Sequence, residues 1–561
     1  MTTIEIPQLI VGAGPVGLTA AHLLAHDGRR CLVAERRDGP LRHPAAHVVN
    51  ARTLEIFRQA GLDMQAIDAI AHAPDDHGHV NFVTRLNGQL IGRLPFERQG
   101  DEVLELTPTP LRNISQHRLE PILAADAATS PDIDLRYRCE WQCSRQDDDG
   151  VTSTLRSLDT GEEFTVRSQY VLAADGAGSR IRKSLGIEMV GPPSIQSFIA
   201  IHFAATDLRP AIADRPGVLH FVMDPAASGT FIAHDIDHEW VFMTSFDPTE
   251  ESVDDYDHER SAGIVRRAIG DDDADLEVID VGCWHMSAQV SERMRSDRIF
   301  LLGDAAHRFP PTGGLGLNTG VADAHGLAWR LGAVADGWAD PSILDTYEIE
   351  RRPVAGTNCE QSMANAFKMA VLIEALGIPS APTTEALLAT LADPERQDSI
   401  AAAVQEQQTH FDMLGLQLGY CYDDGALARD GAPPPPSDDP SEFEPHAAVG
   451  ARLPHAWLDD GRSTLDLVEA GTLTLLSVGA HDDWAAAADD ADVPVRHVRL
   501  GLDAMATSDW AATCELQHDG ALLVRPDQHV AWRSDSSTSP GPTGLAGALD
   551  RILGTRVRSD A

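Results

Sequence analysis

The chain has 561 residues, too many for one compact core, and its 43% hydrophobic and 23% charged residues fit a globular protein rather than a disordered one. Against 86 Asp and Glu stand 44 Lys and Arg, a formal net charge of −42 that argues against nucleic acid or an anionic membrane as partner. No apolar run reaches the roughly 18 residues that span a bilayer.

In chain order, residues 8–11 form a short apolar strand that ends at Gly12. Val16 to His26 reads as a helix with Leu18, Ala21, Leu24 and Ala25 on one stripe, stopped by Gly28. Cys31 to Ala34 is a second buried strand, which completes a βαβ unit. Segment 53–61 reads as another helix with a glycine stop. From 78 to 106 and from 195 to 290 the pattern turns β-rich, with strands at Phe198–Phe203, Val218–Val222 and Trp240–Thr244. Buried strands are expected again at Tyr170–Ala173 and 298–302, then a long helix from Thr319 to Ala335. Residues 430–446, with Pro433 to Pro436 and several acids, read as a stiff polar linker. The segment 447–561 has its own strands and is long enough to fold alone.

This pattern divides the chain into an α/β domain in three pieces (1–77, 107–194 and 291–360), interrupted by a β-rich domain (78–106 and 195–290). A helical connection (361–429), the linker and a C-terminal α/β domain (447–561) follow.

The first chemical motif is Gly12-Ala13-Gly14-Pro15-Val16-Gly17, set between strand and helix. Its glycines permit a tight turn and close approach of the backbone to a pyrophosphate at the helix N-terminus. Glu35, eighteen residues after Gly17, ends the second strand where a ribose hydroxyl acceptor belongs. Two more motifs follow buried strands: Asp175-Gly176, and Gly303-Asp304 leading into Pro310 to Gly320. The glycine-rich stretch reads as a loop whose following helix points its positive end backward. Arg36, Arg37 and Arg42, with Arg180, Arg182 and Lys183, are the densest basic clusters in an acidic chain. They suit phosphate contact as a group, although each singly could pair with a carboxylate.

These three motifs, in this order and spacing, resemble the single-component flavoprotein aromatic hydroxylases, the group of p-hydroxybenzoate hydroxylase and phenol hydroxylase. The resemblance covers about residues 6 to 360. The C-terminal part resembles the thioredoxin-like domain of phenol and polyketide hydroxylases, without Cys-x-x-Cys, so disulfide exchange is not expected there. It implies a Rossmann-type FAD domain, an inserted β-rich substrate domain, and FAD and NAD(P)H as cofactors.

Carried over by position, Asp304 would hold the ribityl chain, and Asp175 and Gly176 would lie where FAD and the nicotinamide meet. Gln116 and Arg118 would touch the flavin side chain and pyrophosphate, and Arg52 the FAD phosphates or flavin. Gly12, Gly14, Pro15, Gly17, Glu35, Arg36, Gly303, Pro311, Gly314, Gly316, Leu317 and Asn318 complete the expected cofactor contacts. His47 and Pro311 are the candidate catalytic positions; His47 either steers substrate or flavin or is an ordinary buried histidine. Where the family often has Asn stands Gly326.

The implied reaction uses NAD(P)H and O2, through a flavin C4a-hydroperoxide, to hydroxylate a phenolic ring. Phe203, Phe221, Phe242 and Trp284 are candidate pocket walls. Oxygenation of a polycyclic aromatic polyketide, by hydroxylation, epoxidation or Baeyer–Villiger chemistry, is the alternative; a FAD-binding module without turnover is a reading from another class. The seven cysteines, from Cys31 to Cys514, make neither a disulfide framework nor a zinc pattern, and no metal is expected. The acidic N-terminus does not read as a secretory leader, so a cytoplasmic protein is expected, with a homodimer as one assembly open to it.

Overall fold

Buried parallel strands need apolar residues on both faces, and Cys31–Ala34 is closed on every residue. It lies in an eight-stranded sheet, in the computed structural model, whose main path runs Arg295–Ser296, Ile299–Leu301, Glu163–Ala173, Thr3–Val11, Cys31–Ala34, Ile133–Arg136. The four central pairings from Ile299–Leu301 to Ile133–Arg136 are parallel. The hairpin Cys139–Asp147 and Gly150–Ser157 extends the long Glu163–Ala173 strand. The structure describes all residues except 1–2, 207, 433–434, 436–438, 480–481, 535–541 and 555–561, and the backbone alone at 542–543.

The β-rich segments join in one seven-stranded sheet, ordered Glu277–Met286, Gln196–Ala204, Glu239–Ser245, Gly229–Asp235, Leu219–Val222, His79–Val83, Leu90–Pro95. Alternation gives it two faces. One packs Ile199, Ile201, Phe203, Phe231 and Phe242 against the helix His258–Ile269. The other packs Val80, Phe82 and Leu94 against Leu372, Leu387, Ile400 and Phe411 from the helical region. This division corrects the pocket-wall reading for two of the four aromatics. Phe203 and Phe242 are fully closed in the helix-side core, while Phe221 stacks on Phe82 at 5.3 Å and Trp284 on Phe198 at 4.8 Å.

The helix Leu315–Ala335 begins four residues before the expected Thr319. Gly316, Leu317 and Asn318 therefore lie in its first turn rather than in a loop. Gly320 is needed there because a Cβ would stand 2.5 Å from Val16 and 2.9 Å from the Gly303 backbone.

At the C-terminal end, Val495–Arg499, Leu473–Ser477, Ala521–Val524 and Val530–Arg533 make a four-stranded sheet with one parallel and two antiparallel pairings. One face has its own core around Leu453, Leu476, Trp510 and Val524. The other, through Leu473, Leu475 and Leu523, is continuous with the core that holds Leu327, Trp329 and Trp338. This unit shares its core with the first domain. The linker proposed at 430–446 lies partly outside the described residues, at Pro433, Pro434, Pro436 and Asp438; its described ends are tied down, Asp430 to Arg533 at 2.9 Å and the Ser441 carbonyl to Arg98 at 2.9 Å.

Candidate cofactor crevice and substrate site

The parallel strands end together, so Gly12, Asp175 and Gly303 border one crevice outside their carboxyl ends. The glycines of the first motif do different jobs. Gly12, at φ +108°, has no room for a Cβ, which would lie 2.2 Å from the Ala174 carbonyl oxygen; at Gly17 it would meet the Gly12 oxygen at 2.0 Å. Those two close strand onto helix. Nothing lies within 4 Å of a Cβ at Gly14, so this is the glycine that leaves space open for a phosphate group. Pro15 is the first residue of the helix, where a missing N–H costs nothing.

Glu35 is buried and pins the loop, accepting from the Ala13 N–H at 2.9 Å and the Arg37 N–H at 2.8 Å. Arg36 is exposed beside it, with no partner among the described residues. Asp175 caps the short helix Arg180–Ser184, accepting from the Ser179 hydroxyl at 2.6 Å and the Arg180 N–H at 2.8 Å. Above Gly176, at φ +78°, the space is open.

Asp304 is the decisive group. Solvent reaches its carboxyl, yet the protein around it desolvates the charge and raises its pKa, with His307 and Arg308 opposing that shift. A group both reachable and desolvated lies in a recess of the surface. Among the described residues none donates to it, so its oxygens face the open space, ready for hydroxyl groups. Gly14 and Asp304 together fit a dinucleotide with a polyhydroxyl chain, as FAD has.

The Gly303-Asp304 turn is held from behind by Asp323, which the motifs gave no reason to single out. Its carboxylate accepts from the Gly303 N–H at 3.1 Å, His307 Nε2 at 2.7 Å and Arg351 Nε at 2.9 Å. Burial alone would raise the Asp323 pKa, but His307 and Arg351 hold it below the usual range. Arg351 also packs beside Gly326, where a Cβ would stand 3.5 Å from its Cδ.

Four expected cofactor residues have their side chains engaged within the protein. Arg52 is buried in the seam with the C-terminal unit, donating to Glu55 at 2.9 Å, Gln528 at 2.6 Å and the Asp527 carbonyl at 2.9 Å. Gln528 and Asp527 lie 476 and 475 residues further along the chain, so no local pattern could pair them with Arg52. Asn318 spends its side chain on the chain itself, accepting from the Asn50 N–H and Thr53 hydroxyl and donating to the carbonyls of Val48 and Gly314. Arg118 donates to Asp235 at 3.1 Å and Glu239 at 3.3 Å, which ties its helix to the seven-stranded sheet. Gln116 donates to Glu120 at 2.7 Å.

His47, between the crevice and that sheet, bonds Asn113 at 3.2 Å and lies 6.1 Å from the Phe96 ring and 6.0 Å from His234. Burial lowers its pKa to about 4, so it is neutral at pH 7. Its neighbour Val48 packs on Gly314, leaving no room for a Cβ there. Pro311 is exposed in the same turn, its carbonyl accepting from the Gly314 N–H at 3.2 Å. Among the described residues no cluster could hold a metal ion, and no helix is long and apolar enough to cross a membrane.

Comparison with known proteins agrees with this geometry. Residues 5–362 match the family described as FAD binding domain, and residues 446–555 that described as aromatic-ring hydroxylase, C-terminal. The chain belongs to the FAD-dependent aromatic-ring hydroxylases. The hydroxylase is 33% identical to the 2,4-dichlorophenol 6-monooxygenase of Cupriavidus pinatubonensis, over 98% of this chain and 97% of that one. It is 32% identical to the tetracenomycin A2 monooxygenase-dioxygenase of Streptomyces glaucescens, over 99% and 98%. The flavin-dependent monooxygenase PieE, solved with FAD and substrate, superposes with a TM-score of 0.91 at 34% identity over 99% of this chain and all of that one. Aklavinone-11 hydroxylase with FAD and aklavinone gives 0.81 at 30%, over 99% and 100%. The hydroxylase thus takes FAD, with NAD(P)H as the reductant its family uses.

Proposed function

We propose that this hydroxylase inserts one atom of O2 into the ring of a neutral phenol, either single or fused. The observation that carries this is the unpartnered Asp304 carboxyl in the crevice, together with His47, whose neighbour Val48 packs on Gly314 and whose ring lies 6.1 Å from that of Phe96. When bound, FAD supplies the redox chemistry, accepting hydride from NAD(P)H and activating O2. The chain binds it: Gly12, Gly14, Pro15 and Gly17 give the pyrophosphate its cradle, Glu35 and Arg36 border the adenosine end, Asp304 accepts from the ribityl hydroxyls, and the helix N-terminus at Gly314 to Leu317 faces the ring end. Gly176 keeps the approach open for the reductant, and His47 with Pro311 walls the ring-facing side.

A neutral substrate is supported by the arginines around this face. Arg98 is paired with Asp412 at 3.0 Å, Arg112 with Asp68 at 3.1 Å and Arg118 with Asp235 at 3.1 Å, so these three cations are already matched by carboxylates of the protein. A fused polycyclic phenol is the second reading, supported by the similarity to PieE and to aklavinone-11 hydroxylase.

The test is NADPH and NADH oxidation by the FAD-loaded protein, alone and with 2,4-dichlorophenol, 2-naphthol or a hydroxyanthraquinone, while H2O2 is measured. Acceleration by a phenol, with a product one oxygen heavier and little peroxide, is the expected result. Reduction that no phenol accelerates would overturn it.

A further inference from the structure

Across the 311–314 turn from the FAD crevice stands a carboxyl that no motif marks. Glu97 follows the strand Leu90–Pro95 with φ +51°, a left-handed conformation that a glutamate adopts only when its surroundings impose it. They do so through the backbone: the Glu97 N–H donates to the Phe411 carbonyl at 2.6 Å. One carboxyl oxygen, Oε2, accepts from the Gln417 amide at 3.0 Å and the Met413 N–H at 3.4 Å. The other, Oε1, takes no partner among the described residues, and the side chain is half-buried. Met413 in turn reaches the cofactor side, its Cε filling the space a Cβ would need at Gly313. Phe96, beside Glu97 in the chain, leads to His47 at 6.1 Å, and Phe411, its backbone partner, leads to Phe82 at 6.3 Å.

We infer that Glu97 is the base that binds the substrate hydroxyl and takes its proton. The inference rests on the phenol hydroxylase reading above. In the step, the phenolic O–H bond breaks and an O–H bond forms at Glu97 Oε1. The electron pair stays on the substrate oxygen and enriches the ring, no electron changes hands, and the proton returns to solvent after turnover.

The electrostatics suit this task. Burial pushes the Glu97 carboxyl up to about 8, Asp412 adds to the shift, and the Met413 N–H, Gln417 and Arg98 oppose it. An ordinary carboxylate is a weak base toward a phenol; one at about 8 lies within roughly two units of a phenol's ~10. The charged groups facing it are few. Asp412 and Arg98 pair with each other. His47 and His410, beyond the two phenylalanines, are held neutral by burial, and Lys368 donates to the Thr409 hydroxyl.

The test titrates the oxidised, FAD-loaded protein with 2-naphthol from pH 6 to 10, followed by the flavin absorbance, beside substrate-stimulated NADPH oxidation over the same range. A carboxylate accepts a phenolic proton more strongly than a neutral acid does. Wild-type affinity should therefore tighten about 5- to 10-fold through pH 8, and the stimulated rate should rise with it. Glu97→Gln is isosteric with the neutral acid and keeps a carbonyl oxygen for the Met413 N–H; it should hold FAD, lose both slopes and release more peroxide. Glu97→Asp should restore a slope. Glu97→Asn, which tolerates the left-handed backbone, is the second loss variant if Gln does not fold. Retention of both pH slopes in either loss variant overturns the assignment while the hydroxylase reading stands. A wild type whose flavin and NADPH oxidation respond to none of the phenols removes both.

Discussion

Gly12 and Gly14 stand two residues apart in one motif and carry different constraints. An alanine at Gly12 would need φ +108° and would put its Cβ 2.2 Å from a backbone oxygen in the neighbouring strand. At Gly14 the backbone is ordinary, with φ −78° and open space beyond. We therefore expect Gly12→Ala to lower the melting temperature of the apoprotein sharply, by a local cost of several kcal/mol. Gly14→Ala should leave that temperature within a degree or two and weaken FAD binding about 10-fold or more, read by flavin fluorescence quenching. The same contrast separates the expected cofactor residues. Glycines whose role is intrinsic to the backbone were legible in the sequence, whereas Arg52 and Asn318 were consumed by partners that only folding supplies.

The Gly303-Asp304 turn is set from behind by the helices Leu315–Ala335 and Thr346–Ala375, which contribute Asp323 and Arg351. Replacing Asp323 by Asn removes the negative charge from a pair with Arg351 that solvent cannot reach, so that cation is left uncompensated. The expected outcome is a loss of about 3 kcal/mol in urea unfolding together with at least 10-fold weaker FAD binding, although Asp323 itself does not border the crevice. Unchanged FAD affinity would show that the turn holds its shape without it. Periodicity predicted the long helix correctly but not its first turn, because Gly314, Gly316 and Gly320 look like a loop by local preference. The helix is maintained there by its packing on Val16, Val48 and Gly303.

The C-terminal unit is joined to the FAD domain by charges as well as by apolar surface. Arg525 donates two bonds to Glu350, at 2.7 and 2.8 Å, and two to Asp527, at 2.9 and 2.6 Å, while Arg330 pairs with Glu350 at 2.6 Å. All four are closed to solvent. Arg525→Met should cost about 3–5 kcal/mol because Asp527 loses its main cation and Glu350 keeps only Arg330. The double variant with Glu350→Leu should be less destabilising than additivity predicts, a comparison that calorimetry of both variants would settle. Acid should act on the whole molecule. His47 and His455 are lowered to about 4 and His77, His220 and His410 to about 3, each mainly by burial. Unfolded histidines bind protons below about 6.5 while these do not, so stability is full above that pH and falls as pH drops toward 4. Glu97, raised to about 8, works in the opposite sense between 4.5 and 8, but it is one group against five. A melting temperature clearly lower at pH 5 than at pH 7.5 is the expected measurement.

The sequence by itself determined the βαβ unit, the three cofactor motifs in order and the two β-rich segments, because backbone turns, parallel-strand apolarity and period-two alternation are local properties. It carried the family as well, through those same motifs. Only the tertiary structure decided that Phe203 and Phe242 face a helix rather than a substrate, that Arg52 belongs to a domain seam, and that Asp323 and Glu97 stand behind and across from the cofactor crevice. Each of these depends on which side chains arrive from distant segments, and on how far the surrounding protein keeps water from a charge, neither of which is encoded in any short stretch of chain.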